Sequence, residues 1–223
     1  MARPHRSTPW GFCYHVLSRG NARQQVFHKP GDDEAFVRLF EAAHEIVPMR
    51  LLAYGLMPNH FHLVLWPRGD GDLSRWMQWL LTTHVRRYHR NHATTGHVWQ
   101  GRFKAFPIQE NEHLLTVLRY VERNPLRAGL ASDVTSWPYT SLATWNARER
   151  PAWYDPGPVP RGKDWLRYVL QPQTDVELVA LRRSVERGVP YGGEIWQRRT
   201  VAALGLESTL RPRGRPKKGN NEA

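Results

Sequence analysis

Runs of apolar residues with period two or period 3.6 divide the first 145 residues into seven predicted elements. Period-two or continuous apolar runs predict strands at Phe12–Ser18, Arg50–Met57 and Asn59–Trp66. Val98–Gln109 is predicted as one or two further strands, interrupted at Gly101. Helical spacing predicts helices that begin near Asp32, Asp72 and Asn111, the first ending at Pro48 and the last near Asn124. The order is therefore strand, helix, strand, strand, helix, strand, helix.

This order predicts an α+β domain in which helices cover one face of an antiparallel sheet. The short turn Pro58-Asn59 indicates that the second and third strands form an antiparallel pair. We expect the other face of the sheet to stay open, where His60 and His62 of the third strand could lie.

The character of the chain changes after Trp145, which predicts four segments. Residues 1–148 form the α+β domain, and the proline-rich residues 149–165 form a linker or an extended wrap. Residues 166–208 form a helical extension, with helices expected at Val176–Arg187 and Ile195–Leu204. Residues 209–223 are polar and basic and are expected to be disordered without a partner.

The charge of the chain predicts a polyanionic partner. The formal net charge is +12 in 223 residues, and the sequence pI is about 10.4. Nucleic acid or an anionic membrane surface could meet this charge, but no apolar run approaches the roughly 20 residues of a spanning helix. Residues 1–10 lack the apolar core of a signal peptide, and Cys13 is the only cysteine. We expect a cytoplasmic, nucleoid-associated protein without disulfides or a cysteine-based zinc site.

Two histidines, His60 and His62, are the first candidate site. Residues two apart on a strand face the same side, roughly 7 Å apart at the backbone, so both imidazoles could reach one ion. Neutral imidazole is the commonest protein metal ligand. Cross-strand packing of two histidines explains the tripeptide His60-Phe61-His62 equally well.

Tyr120 and Asn124 lie four residues apart in the last predicted helix and would share one face. Taken alone, Tyr120 is more simply a tyrosine at the edge of the core, and Asn124 a helix-end residue. Pro125 adds a restriction, because a residue before proline is biased away from helical angles.

Three segments in order change this interpretation: Tyr54–Val64, Gly96–Phe103 and Tyr120–Gly129. Together they resemble the single-tyrosine HUH transposases, and more closely the REP-associated tyrosine transposases, over roughly residues 10–145. The resemblance implies a ferredoxin-like sheet with the histidine strand at its centre. It also implies that His60, His62 and Asn124 are metal ligands and that Tyr120 is the nucleophile.

The implied activity is that of a metal-dependent DNA nickase and strand transferase with a 5′-phosphotyrosine intermediate. Its substrate would be single-stranded DNA folded as imperfect palindromic hairpins, with a short tetranucleotide beside the stem. Two neutral imidazoles and an amide leave a divalent ion its full charge, and either Mg²⁺ or Mn²⁺ would serve. The protein is expected to act as a monomer, with a homodimer as the alternative.

Basic side chains outside this site are candidates for contacts with DNA phosphates. They are Arg19, Arg23, Arg86, Arg87, Arg90, Arg102, Lys104, Arg213 and Arg215. The last two lie in a Pro-Arg-Gly-Arg-Pro segment that resembles an AT-hook, although a solubilising tail is an equal interpretation. A solvated helix end likewise explains the cluster at residues 86–90. Trp99 and Phe103 could stack on bases or pack in the core.

Three other functions remain open on the sequence. A replication initiator or relaxase uses the same histidine pair, but often with two tyrosines. A non-catalytic hairpin-binding protein would keep the basic residues and need no metal. A zinc hydrolase is the weakest alternative, because no third histidine, cysteine or carboxylate stands at a recognisable spacing.

Overall fold

A four-stranded antiparallel sheet forms the centre of the computed structural model, which describes residues 8–211. The strands are β1 (Cys13–Arg19), β2 (Met49–Met57), β3 (His60–Pro67) and β4 (Lys104–Ile108). Their order across the sheet is β2-β3-β1-β4. The predicted antiparallel α+β class and the β2–β3 pair are confirmed.

The histidine strand β3 is central, because it pairs with β1 on one side and with β2 on the other. Leu17 of β1 and Gly55 of β2 are the residues directly opposite His62. Arg19 and Met57 are likewise opposite His60. The two histidines are therefore held in register from both sides.

The expectation that helices cover only one face of the sheet is wrong. Helices α1 (Asp32–Ile46) and α2 (Asp72–His92) pack on one face, and α3 (Glu112–Arg127) packs on the other. The physical reason lies in β3, where Phe61 and Leu63 face the first layer while Val64 faces α3. A strand that is apolar on both sides must be covered on both sides.

The fourth strand is shorter than the predicted Val98–Gln109. Only residues 104–108 pair with β1, while Gly101 has a positive φ of 71° that interrupts the extended path. Trp99 instead makes an isolated bridge with Gly20 and is buried against Phe61, with ring centroids 5.2 Å apart. The structure therefore places Trp99 in the core.

Helix α3 begins as predicted and ends later than predicted. The Asn111 side chain accepts a hydrogen bond from the His113 backbone N–H, which caps the first turn. The helix then continues past Pro125 to Arg127. Tyr120 and Asn124 consequently lie one turn apart on the same helix.

The chain beyond α3 wraps around the domain. It contains α4 (Ser141–Asn146), α5 (Trp165–Leu170), α6 (Asp175–Arg187), α7 (Glu194–Leu204) and α8 (Glu207–Leu210). Between α4 and α5, Trp153 and Tyr154 are buried, and Tyr154 bridges Leu51 of β2. These contacts favour an extended wrap over a free linker, while the division into four segments stays a prediction.

Two candidate residues, Arg213 and Arg215, lie outside the described residues. Within residues 8–211, none of the helices combines the length and the apolar character needed to cross a bilayer.

Candidate functional site

His60, His62 and Tyr120 meet on the sheet face that α3 covers. The ring centroids of His60 and His62 are 5.1 Å apart, and that of Tyr120 lies 5.7 Å from that of His62. Tyr120 is 7% exposed, and its hydroxyl makes no hydrogen bond within residues 8–211. The described part of the chain therefore supplies no hydrogen-bond partner for this hydroxyl.

One ring nitrogen of each histidine is already engaged. The Nδ1–H of His60 donates to the Asn59 side-chain oxygen at 2.6 Å, and Nδ1 of His62 lies 2.8 Å from Nε2 of His15. Neither of these hydrogen bonds uses the Nε2 atom of His60 or of His62. An unprotonated Nε2 can bind a metal ion.

Burial keeps these imidazoles neutral. Desolvation, with smaller contributions from Arg19 and Arg127, lowers the pKa of His60 from 6.5 to about 4. Desolvation lowers the pKa of His15 to about 3 and that of His62 well below 6.5. Near neutral pH the three imidazoles are therefore uncharged, and each has one unprotonated ring nitrogen.

Asn124 and Arg127 complete the site from the end of α3. Asn124 is 1% exposed, and its side-chain oxygen accepts a 2.6 Å hydrogen bond from Arg127. Its amide nitrogen is buried without a hydrogen-bond partner in the described part of the chain. The Arg127 guanidinium also lies over the Tyr120 ring, 5.3 Å from its centroid.

This donor set fits a loosely held divalent cation. No group of three or more His, Cys, Asp or Glu side chains suited to a metal occurs within residues 8–211. A cation here would depend on the Nε2 atoms of His60 and His62 and on the Asn124 amide oxygen. That oxygen has a second lone pair beside the one that Arg127 occupies. The orphaned, buried amide of Asn124 also indicates that folding alone does not explain this residue.

Of the predicted DNA-contacting residues, two lie near the histidine pair and three lie on α2, on the opposite face of the sheet. Arg19 pairs with His60 on the neighbouring strand β1. The backbone oxygen of Arg23 accepts a hydrogen bond from the Asn59 side-chain amide. Arg86, Arg87 and Arg90 are on α2, which packs on the opposite face of the sheet. The structure thus separates the α2 cluster from the histidine pair.

The other two predicted contacts lie at the sheet edge and beside α2. Lys104 begins β4, and its ammonium donates to the Val185 backbone oxygen in α6. Arg102 is exposed and lines a cavity of about 810 Å³ between α2 and residues 96–103, together with Phe103. The roles of all these cations stay predictions.

Two residues of the site were not identified from the sequence. His15 reaches His62 only through strand pairing, and alternation within an unpaired strand does not reveal a partner 47 residues away. Arg127 was hidden by the expectation that the helix ends at Asn124, although the i, i+3 spacing from Asn124 was a usable signal. His113 lies at the other end of α3, where its ring bonds the Asn111 side chain.

The fold and the paired imidazoles facing a helical tyrosine define a protein of the single-tyrosine HUH class. A family model described as "Transposase IS200 like" matches residues 8–124, which is more than half of the chain. The chain belongs to this transposase family.

Named relatives agree with this assignment. A protein provisionally named as a REP-associated tyrosine transposase of Haemophilus influenzae is 26% identical over 121 residues, which are 48% of this chain and 69% of that protein. The REP-associated tyrosine transposase of Escherichia coli is 26% identical over 98 residues, 43% of this chain and 55% of the relative. The chain thus spans about half the length of the E. coli relative.

A solved structure supports the fold. It is described as a REP-associated tyrosine transposase bound to a REP hairpin, and it aligns with a TM-score of 0.52 at 18% identity. The alignment covers 64% of this chain and 84% of that one. At this identity the likeness establishes the shared architecture alone.

Proposed function

We propose that this protein is a metal-dependent nickase and strand transferase that acts on single-stranded DNA hairpins. The observation that carries the proposal is the position of Tyr120, whose ring lies 5.7 Å from that of His62 on one face of the sheet. A nucleophile and two neutral imidazoles with free Nε2 atoms thus share a site.

Hairpin DNA is the substrate class that the relatives and the charge support. The structurally similar transposase is described as bound to a REP hairpin, and two relatives carry the REP-associated name. The net charge of +12 suits a polyanion. Palindromic, REP-like repeats are therefore the proposed target, which would place the protein at the nucleoid in the cytoplasm.

In the proposed cleavage step, the Tyr120 oxygen attacks the scissile phosphorus. A bond forms between that oxygen and phosphorus while the bond from phosphorus to the 3′ oxygen breaks. The phenolic proton passes to solvent, and the departing 3′ oxygen takes up a proton. The products are a 5′-phosphotyrosine and a free 3′ hydroxyl.

The side chains around Tyr120 bind and orient the phosphate. His60, His62 and Asn124 would hold Mg²⁺ or Mn²⁺, which would supply positive charge to the phosphate. Arg127 adds a cation beside the nucleophile, where it faces the same phosphate charge. Helix α3 holds Tyr120 buried beside His62, which fixes the tyrosine ring relative to that imidazole.

Strand transfer reverses the first step. A tyrosine phenol has a pKa near 10, well below that of an alkyl alcohol, so phenolate is the better leaving group. A DNA 3′ hydroxyl can therefore attack the phosphotyrosine, rejoin the strands and release Tyr120. No external energy source is needed, because one phosphodiester replaces another.

Formation of a covalent protein–DNA adduct tests the proposal. Wild-type protein incubated with a labelled palindromic single-stranded oligonucleotide and Mn²⁺ should give an adduct that survives denaturing gel electrophoresis. Tyr120→Phe removes the attacking oxygen and should abolish that adduct.

The matched control is Tyr168→Phe. Tyr168 packs beneath Arg119 on the outer side of α3, and phenylalanine keeps this ring contact. The control should form the adduct at the wild-type level. An adduct that persists in Tyr120→Phe would reject Tyr120 as the nucleophile.

A non-catalytic hairpin-binding protein is the second candidate, and one contact favours it. The Asn124 oxygen is already bonded to Arg127, which could hold the site closed to a metal. Metal-independent hairpin binding, with no adduct in any divalent ion, would support this function.

We also propose that the protein is a monomer, and sedimentation of the same samples would test this oligomeric state.

A further inference from the structure

His15 is a buried histidine with a single polar neighbour. Its side chain is 0% exposed, and within residues 8–211 its only hydrogen bond joins Nε2 to Nδ1 of His62 at 2.8 Å. Its other nitrogen, Nδ1, is buried without a partner. Such an orphaned polar atom costs about 1–3 kcal/mol, so packing alone would favour an apolar residue here.

The neighbours of His15 fix its ring in place. Its edge contacts Phe106, with ring centroids 4.9 Å apart at 72°, and Tyr120 lies 6.1 Å away at the same angle. His15 lies on β1, between β3 and β4, so both neighbouring strands hold its backbone. A ring held this firmly can orient the ring to which it is bonded.

The hydrogen bond between the two histidines has a defined consequence for His62. Each neutral imidazole carries one proton, so one of the two bonded nitrogens donates and the other accepts. If His62 donates through Nδ1, its Nε2 carries a lone pair and can bind a metal. If His15 donates instead, His62 carries its proton on Nε2 and cannot bind a metal there.

We propose that His15 is a positioning residue for the metal site, where its Nε2 accepts the Nδ1–H of His62. The bond would hold the Nε2 lone pair of His62 towards the cation and fix the ring angle. Ligand histidines in metal sites usually donate their second N–H to such a partner. This inference rests on the proposed function, because it gives His62 the role of a ligand.

Binding of Mn²⁺ alone, measured by electron paramagnetic resonance without DNA, tests the inference. His15→Leu removes the acceptor and should weaken Mn²⁺ binding about 10- to 100-fold, the usual effect of losing such a partner. His15→Gln places an amide oxygen near the former Nε2 and should retain most of the affinity. His84→Leu makes the same substitution at a buried histidine of α2, which packs against Phe36 on the other side of the sheet, and should bind Mn²⁺ like the wild type.

The proton position gives a second readout that does not require a folded variant. Two-bond ¹⁵N–¹H correlation spectra of the wild-type protein, saturated with Mg²⁺, should show His62 protonated at Nδ1. Protonation at Nε2, or equal Mn²⁺ affinity in wild type and His15→Leu, would overturn the role of His15.

Failure of the metal site itself would look different. If wild type does not bind Mn²⁺ more tightly than His60→Ala, the proposed metal-dependent function fails. If wild type binds Mn²⁺ and only His15→Leu has no effect, the metal site stands and His15 has no positioning role.

Discussion

At the scale of single residues, the site is built from neutral donors beside a permanent cation. Arg127 donates to the Asn124 oxygen and lies over the Tyr120 ring, and its charge contributes to the lowered pKa of His60 and His62. The guanidinium therefore opposes a metal ion in two ways, by like charge and by occupying a ligand atom. It also favours a phosphate. We expect metal and DNA to bind this site cooperatively.

Replacing Arg127 should separate these effects. Arg127→Met removes the charge and frees the Asn124 oxygen, so Mn²⁺ affinity without DNA should rise about three- to tenfold. Repulsion between a guanidinium and a nearby dication in water is on the order of 1 kcal/mol. The matched control is Arg123→Met, which removes the same charge from a side chain that bonds Leu170 outside the site. Unchanged or weaker Mn²⁺ binding in Arg127→Met would contradict this account.

Local spacing paired His60 with His62 and Tyr120 with Asn124, whereas the resemblance to the single-tyrosine HUH transposases was needed to join the two pairs in one site. Period two on a strand and period 3.6 on a helix place side chains on a common face without knowledge of the tertiary structure. His15 could not be found this way, because its contact depends on the pairing of β1 with β3. The metal, the nucleophile and the DNA contacts stay predictions that geometry alone does not test.

At the scale of elements, the site depends on how closely α3 approaches the sheet. Pro125 has no N–H, so it cannot make the helical hydrogen bond to the Val121 carbonyl oxygen. That oxygen instead lies against Gly55, directly opposite His62, where an added Cβ would come within 2.8 Å of it. A glycine on β2 and a proline in α3 together allow the helix to lie on the histidine strand.

Gly55→Ala should push α3 away from the sheet. The clash with backbone should cost about 1–3 kcal/mol of unfolding free energy, the range for overpacking a core. It should also reduce adduct formation by moving Tyr120 relative to His62. Gly162→Ala is the matched control, because nothing lies within 4 Å of its added Cβ. Urea unfolding and the adduct assay check both effects, and equal results for the two variants would count against this packing.

The sequence predicted the kind and order of these elements better than their ends. The β4 prediction included residues 98–103, because Val98, Trp99 and Phe103 have the apolar character of a strand while packing as a loop against α2. The end of α3 was set too early because the rule for a residue before proline is statistical, and tertiary contacts around Asn124 override it. Cover on both faces of the sheet could have been expected from the continuous apolar run in β3.

At the scale of the whole molecule, the chain after α4 is tied to the helix that carries Tyr120. Glu122 is fully buried, and its carboxylate accepts hydrogen bonds from Ser141, Arg161 and Trp165. On the outer face of α3, Arg119 makes two 2.6 Å contacts with the carboxylate of Glu177 in α6. Residues beyond the family match therefore hold α3 in position.

Breaking the buried ion pair between Arg161 and Glu122 should lower the free energy of unfolding. Arg161→Met leaves the Glu122 carboxylate buried without its cation, which typically costs about 3–5 kcal/mol. The double variant Arg161→Met with Glu122→Gln should recover part of this loss. Arg198→Met breaks the exposed pair with Glu194 and should cost less than about 1 kcal/mol. Urea denaturation of the four proteins measures these differences, and a near-neutral Arg161→Met would refute the role of this pair.

The central claim is that Tyr120 forms a covalent bond to the 5′ phosphate of cleaved DNA, and peptide mass spectrometry tests it directly. Trypsin cleavage after Arg119 and Arg123 releases the peptide Tyr120–Arg123, which contains one tyrosine. After incubation with hairpin DNA and Mn²⁺, followed by nuclease and trypsin digestion, this peptide should carry a 5′-linked nucleotide. A nucleotide on any other peptide, or a 3′ linkage on this one, would contradict the account.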